Sequence, residues 1–230
     1  MLSSRGKGGT QMKRQYIAGF VAAEAVLYAA FLILDLTGRG ERTIWLKYAG
    51  ILLCLAFALW CAFRGGHRLV PVALALTAGA DWFLLVRGDH LVPGVVLFLG
   101  VQTVYFLRLR LAGADSAVWL RSGLALLLAL ALYRLNMASP LNLLAVLYFS
   151  QLLSNTVLAW TVRGRRRRLF ALGLTLFVGC DLCVGLFNSG LVSTGLYRLV
   201  SVGMWAFYLP SQVLIALSAL PEKEVFHEAK

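Results

Sequence analysis

Charge is what this chain has little of. Of its 230 residues only 14% are Asp, Glu, Lys or Arg, while 60% are apolar, and the mean hydropathy is +0.79. A water-soluble domain carries about 25% charged and about 45–50% apolar residues, so the polar shell of a soluble globular enzyme is missing. Intrinsic disorder is excluded for the same reason. Histidine is scarce as well: His67, His90 and His227 are the only three, and none lies inside an apolar run. That removes a Ser–His dyad and zinc held by intramembrane histidines. The four cysteines, Cys54, Cys61, Cys180 and Cys183, are too few for a disulfide scaffold. All four fall in apolar runs, where cysteine packs as a small hydrophobe. Cys180-x-x-Cys183 has a redox or metal spacing but no histidine near it, so neither a metal nor a cofactor is expected. Acidic clusters for magnesium, as in prenyl-transfer chemistry, are absent too, as are the Gly-x-Gly-Asp and Tyr-Asp elements of intramembrane aspartyl proteases.

What the chain does have is length of apolar sequence. Crossing about 30 Å of hydrocarbon takes roughly 17–25 residues of helix. Eight such runs are punctuated by Gly, Asn and charged residues: 16–34, 44–63, 69–86, 91–109, 117–133, 140–162, 169–187 and 196–219. They are continuously apolar, without the alternation of a membrane β-barrel strand. The expectation is an all-α integral membrane protein of eight transmembrane helices joined by short connections. A basic tail (1–15) precedes a single helical domain (16–220), and a short tail (221–230) follows it.

The formal net charge is +12, and residues 165–168 are four consecutive arginines. Nucleic acid is nevertheless not the expected partner, because no soluble fold presents the run. Counted by connection, sixteen Lys and Arg fall on the side of the N-terminus and six on the other. This positive-inside asymmetry predicts both termini on the cytoplasmic side, with the arginine run set against anionic headgroups. The bacterial inner membrane is the expected location. The oligomeric state is not legible.

Ionisable groups inside a span are expensive and point to function. Seven of the ten acids sit at helix ends or in connections, leaving Glu24, Asp81 and Asp181 inside, with no Lys or Arg expected within the runs to neutralise them. Asp81 lies in Ala78-Gly79-Ala80-Asp81-Trp82 and Asp181 in Val178-Gly179-Cys180-Asp181-Leu182, each thirteen residues after an arginine, Arg68 or Arg168. Both carboxyls are therefore expected at one depth on parallel helices. The helix after each Asp carries a glutamine, Gln102 or Gln212. Together these positions predict a weak internal 4+4 parallel repeat, and Gly79 and Gly179 are expected to let neighbouring helices approach. Gln102, Tyr105, Asn142, Tyr148, Gln151, Asn155, Tyr208 and Gln212 are candidates to line the same cavity, with Glu24 as an isolated further acid.

Two carboxyls sharing a low-dielectric site do not ionise together. One is then an acid and the other a base, which suits hydrolysis at an activated ether. Paired intramembrane acids and repeats serve a small proton-coupled transporter equally well, although only the last helix carries an interior proline, Pro210.

The stretches 76–85, 98–107, 177–186 and 208–217, including Tyr208-Leu209-Pro210-Ser211-Gln212, resemble the YhhN family of eight-helix membrane proteins, the lysoplasmalogenase family. The chain departs from the family pattern in three places: Ala80 separates Gly79 from Asp81, Cys180 stands where a Ser is usual, and Gln102 occupies a region that commonly holds His. The resemblance implies hydrolysis of the vinyl ether bond of lysoplasmalogens, yielding a fatty aldehyde and a glycerophospho-ethanolamine or -choline. It implies a lipid substrate, and the residues fit that chemistry: Asp81 and Asp181 are expected to supply the acid and the base in either assignment, with Gln102, Tyr105, Tyr148, Gln151, Asn155, Tyr208 and Gln212 as substrate-binding residues. A catalytically inactive lipid-binding relative is the other reading it allows.

Overall fold

The computed structural model describes residues 4–37, 43–189 and 193–221. Eight helices follow in order: α1 (Ser4–Leu36), α2 (Ile44–Phe63), α3 (Leu69–Asp81), α4 (Leu91–Leu111), α5 (Val118–Arg134), α6 (Pro140–Thr161), α7 (Arg165–Ser189) and α8 (Thr194–Leu217). Among the described residues there is no strand. In hydrocarbon every backbone N–H and C=O must be satisfied within the protein, which a helix achieves within one segment and a barrel only by closing between strands. The long apolar runs therefore become helices. α1 starts at Ser4, so helix already begins within the stretch expected as a tail.

Seven of the helices are long and apolar enough to cross a membrane, and the chain is a multi-pass membrane protein. The eighth expected span, α5, has 17 residues. That is about 26 Å of helix against about 30 Å of hydrocarbon. None of its residues is buried, and it packs mainly on α6, with Arg121 also reaching the Phe106 ring of α4.

The remaining helices close a ring in which α2, α3, α4, α6, α7 and α8 each touch the next, and α8 returns to α2. α3 also reaches α8, and α1 lies outside the ring against α2 and α8. The contacts α2–α3, α3–α4 and α4–α6 have counterparts in α6–α7, α7–α8 and α8–α2, whereas the packing of α1 on α8 has no equal between α5 and α4, where Arg121 meets the Phe106 ring.

Local chemistry sets the ends and the close approaches. Ser139 caps α6 by accepting the Asn142 N–H at 3.1 Å, and Pro140 takes the first helical position, where its missing N–H costs nothing. The connection from α2 to α3 touches the end of α8: the His67 N–H donates to the Ala219 carbonyl at 2.9 Å. A Cβ on Gly66 would lie 2.2 Å from that carbonyl oxygen, so only glycine fits. Of the two glycines expected to admit neighbours, a Cβ on Gly179 would lie 3.3 Å from the Phe207 ring, and one on Gly79 would make only an ordinary contact with Leu97. α7 approaches the backbone of α8 closely at Gly173, where a Cβ would lie 2.8 Å from Ile215 and 3.0 Å from the Ser211 carbonyl.

One sequence expectation is corrected. Lys47, Arg108, Arg121 and Arg198 belong to α2, α4, α5 and α8 themselves, and the first two are buried. Long basic side chains bury their apolar stems and find partners near helix ends. Lys47 pairs with Asp35 at 2.8 Å, and Arg108 donates to the Ser218 hydroxyl and carbonyl at 2.8 and 3.0 Å. Neither is paired with the intramembrane carboxyls.

Candidate active site

Asp81 is the last residue of α3, and the chain then changes to a single π-helical turn, Trp82–Arg87, ending at Gly88 with φ 71°. Single π turns inside helices are concentrated at functional positions. Asp81 is 4% exposed, and its Oδ2 accepts a hydrogen bond from the Tyr208 hydroxyl at 2.7 Å.

Tyr208 is held by a second irregularity. Pro210 interrupts α8, and a proline frees the carbonyl four residues earlier, here that of Ala206. The Tyr28 hydroxyl on α1 donates to this carbonyl at 3.3 Å. The freed carbonyl is thus satisfied from outside the helix, two residues before the tyrosine whose hydroxyl meets Asp81.

Asp181 stands on α7 within electrostatic range of Asp81. Its Oδ2 is buried and has no hydrogen-bond partner among the described residues. The Tyr148 hydroxyl of α6 interacts with Asp181 in a looser contact than the Tyr208–Asp81 hydrogen bond. Cys180 is within range of both carboxyls. The two phenols are joined by packed rings: Tyr208 to Phe177 (centroids 5.5 Å), Phe177 to Phe98 (5.7 Å), and Phe98 to Tyr148 (5.7 Å). Four helices, α3, α6, α7 and α8, thereby bring two acids and two phenols to one aromatic-walled cluster. Twelve residues of α3 separate Asp81 from Leu69, about 18 Å of helix, and only the π turn separates it from Gly88. The cluster therefore lies nearer the end of the bundle opposite the arginine run.

The sequence model of the YhhN family matches residues 42–219. The chain belongs to the YhhN family. No curated protein and no solved structure matches it. The YhhN match takes in α2–α8 and with them both aspartates and all seven candidate binding residues, whereas Glu24 on α1 falls outside it.

Those seven binding candidates divide in this YhhN protein. Tyr148 and Tyr208 stand at the carboxyls. Tyr105 is buried, its ring edge-on to Phe170 at 5.2 Å, and it is electrostatically linked to Tyr148 and to Arg108. Gln212 is fully buried with neither amide atom partnered among the described residues, and the same holds for the Gln102 Nε2. The Gln102 Oε1 and main-chain carbonyl both accept from the Asn155 amide, at 3.0 and 2.9 Å. Asn155 and Gln151 in turn accept from the two terminal nitrogens of Arg121, whose guanidinium covers the Phe106 ring at 4.2 Å. These two residues therefore bind α5 to α6, and Asn155 extends the network to α4. Asn142 donates to the Met137 carbonyl at 2.7 Å and shapes the turn before α6.

Glu24 is 3% exposed, accepts from the Cys54 thiol at 3.2 Å, and has its other oxygen unpartnered among the described residues.

One residue at the site escaped the sequence reading. Tyr48 on α2 feels the Asp81 carboxyl and donates to the Ala78 carbonyl at 3.4 Å. The signal was available: the offset of one hundred that relates Asp81 to Asp181 also relates Tyr48 to Tyr148. In both pairs the tyrosine sits on the helix before its aspartate.

Proposed function

We propose that the chain is a membrane hydrolase that cleaves the vinyl ether bond of lysoplasmalogens with Asp81 and Asp181 as its acid–base pair. The observation that carries the reading is the approach of these two carboxyls, from helices a hundred residues apart, at a depth where a charge has no solvent to stabilise it. YhhN membership is consistent with a lysoplasmalogenase-type function. The interior is also unusually polar for a helical bundle. Buried polar atoms are ordinarily paired with protein or water, so Tyr148, Gln212, Gln102 and Asp181 offer hydrogen bonds to a polar guest.

The chemistry is written for an alkenyl lysophospholipid and water. A carboxylic acid protonates the outer vinyl carbon, the double bond becomes an oxocarbenium ion, and the facing carboxylate stabilises that cation. The carboxylate then takes a proton from the attacking water. The hemiacetal collapses, its C–O bond to the glycerol breaks, and a fatty aldehyde and a glycerophospho-ethanolamine or -choline leave. A carboxylate that accepts from a phenol suits the base, so Asp81, bonded to Tyr208, takes that role. Asp181, buried and more loosely held by Tyr148, suits the proton carrier. Phe98 and Phe177 supply an apolar wall for the alkenyl chain. Both termini are placed on the cytoplasmic side of a bacterial inner membrane, on the charge asymmetry, and the two halves are read as a parallel repeat on the shared offset of one hundred.

The test is aldehyde release from an alkenyl lysophospholipid by the purified protein. Asp81→Asn and Asp181→Asn are each expected to lower the rate by about 10²–10⁴. Full activity in both variants would remove the two-carboxyl mechanism. Proton-coupled uptake into vesicles without lipid turnover would favour a carrier instead.

A further inference from the structure

A cavity of about 310 Å³ opens at the end of the bundle opposite the arginine run, between the end of α1, the start of α2 and the first turns of α8. Asp35, Lys47, Arg198, Ser201 and Trp205 line it. The topology brings them together: Asp35 is the penultimate residue of α1, Lys47 stands in the first turn of α2, and Arg198 in the second turn of α8. One acid, two cations, a hydroxyl and an indole thus face one polar chamber.

The charged groups are held in place. The Asp35 carboxylate takes Lys47 on one oxygen and the Thr43 hydroxyl on the other, each at 2.8 Å, and the side chains of the ion pair are largely buried. Arg198 donates to the Leu36 carbonyl, which fixes its guanidinium at the same helix end. A buried ion pair adds little stability over an apolar pair of similar size. Ionisable groups at membrane depth mark function by default. The fold alone therefore does not account for Lys47 and Asp35.

The chamber shares a wall with the carboxyl cluster. The Lys47 ammonium lies 4.8 Å from the centroid of the Trp205 ring, and that indole meets the Tyr208 ring edge-on at 5.4 Å. Tyr208 is the donor to Asp81. Trp205 is one turn before it on α8 and stands as the partition, with the chamber on one side and the phenol on the other. The adjacency recurs on α2, where Lys47 directly precedes Tyr48, the residue that feels the Asp81 carboxyl. A lysolipid with its vinyl ether at the two aspartates carries its phosphate only a glycerol away. The headgroup then has to point to the nearer polar end of the bundle, which is where the chamber lies.

On the hydrolase reading of the carboxyl pair, on which the assignment depends, we infer that this chamber holds the headgroup phosphodiester of the lysolipid. Arg198 and Lys47 are its charged donors, Ser201 is a neutral one, and Trp205 sets the spacing between phosphate and scissile bond. Asp35 offsets the charge of Lys47, so Arg198 supplies the attraction and Lys47 the direction. An ammonium has three N–H donors and a guanidinium five, so Lys47 keeps Asp35, and Arg198 keeps Leu36, while each reaches a phosphate oxygen.

Two ligands of the same chain length test this: 1-O-hexadecyl lysophosphatidylethanolamine, whose saturated ether is not a vinyl ether, and 1-O-hexadecylglycerol, which lacks the phosphate. Their apparent Kd for the purified full chain in detergent is read from the shift of the unfolding midpoint. The phospholipid is expected to bind at least about tenfold more tightly. Arg198→Gln is expected to remove about tenfold of that advantage, and Arg198→Lys to retain part of it. Asp35→Leu/Lys47→Met, a paired replacement close to neutral for the fold, is expected to reduce the same ratio. Equal affinity for the two ligands, or an advantage that survives both Arg198→Gln and the paired replacement, overturns the inference. Aldehyde assays separate its failure from that of the hydrolase reading. Alkenyl lysophospholipid cleaved no better than 1-O-alkenylglycerol leaves hydrolysis standing and removes the headgroup site. Arg198-dependent binding of the phospholipid without any aldehyde release keeps the chamber as a lysolipid headgroup site and removes hydrolysis.

Discussion

Asp81 and Tyr208 are 127 residues apart and share a 2.7 Å hydrogen bond, while Asp181 and Tyr148 meet in a looser contact. This asymmetry between two similar pairs is the residue-scale basis for giving the carboxyls different roles. Tyr208→Phe removes the donor and keeps the ring, so aldehyde release is expected to fall by about ten- to a hundredfold with the fold intact. Tyr148→Phe, which removes only the looser contact with Asp181, is expected to act mainly on KM; the two kinetic profiles distinguish them. A second residue-scale contrast concerns Asp35 and Lys47, whose side chains are 9% and 8% exposed. Removing one member of a buried ion pair costs about 3–5 kcal/mol, while replacing both by apolar residues is close to neutral. Lys47→Met should therefore lower the unfolding midpoint more than Asp35→Leu/Lys47→Met does. His67 supplies a pH prediction. Its imidazole is held down to about 4 from 6.5, so between those values the unfolded chain binds more protons and stability rises with pH. The unfolding midpoint should fall as pH drops from about 6.5 toward 4, and His67→Gln should flatten that limb.

At the scale of elements the two irregularities, the π turn after Asp81 and the proline break in α8, fall on either side of one hydrogen bond. Gly173 sets how closely α7 and α8 meet beside it. Gly173→Ala places a methyl 2.8 Å from Ile215 and 3.0 Å from a main-chain oxygen. Overpacking of this kind costs about 1–3 kcal/mol, and the unfolding midpoint should drop accordingly, with activity falling as α7 moves away from Tyr208. The helices themselves were legible because the sequence shows directly how long each apolar run is, and hydrocarbon forces such a run to be helical. Asp81 and Asp181 were legible because a carboxylate among apolar residues has no bland explanation. The π turn was not: Trp82–Arg87 is as apolar as the helix before it, and the hydrogen-bond register is a matter of contacts with α2 and α4. Gln151 and Asn155 looked like site residues because polar groups in a span must bond to something. That their partner is Arg121, thirty or more residues away, is a tertiary fact without local trace.

At the scale of the molecule, six helices form the ring, while α1 and α5 stand outside it. The number of crossings fixes the sides of the termini. Eight crossings put both on one side, and a surface-lying α5 puts them on opposite sides. Reporter fusions at residue 1 and residue 230 are expected to give the same, cytoplasmic, signal. The ring also holds its two acids off centre, toward the end away from the arginines. With the proposed orientation, cleavage takes place against the outer leaflet. The enzyme would then consume lysolipid that has already been translocated, and its rate in cells would follow the traffic of lipid between leaflets more closely than the total amount present.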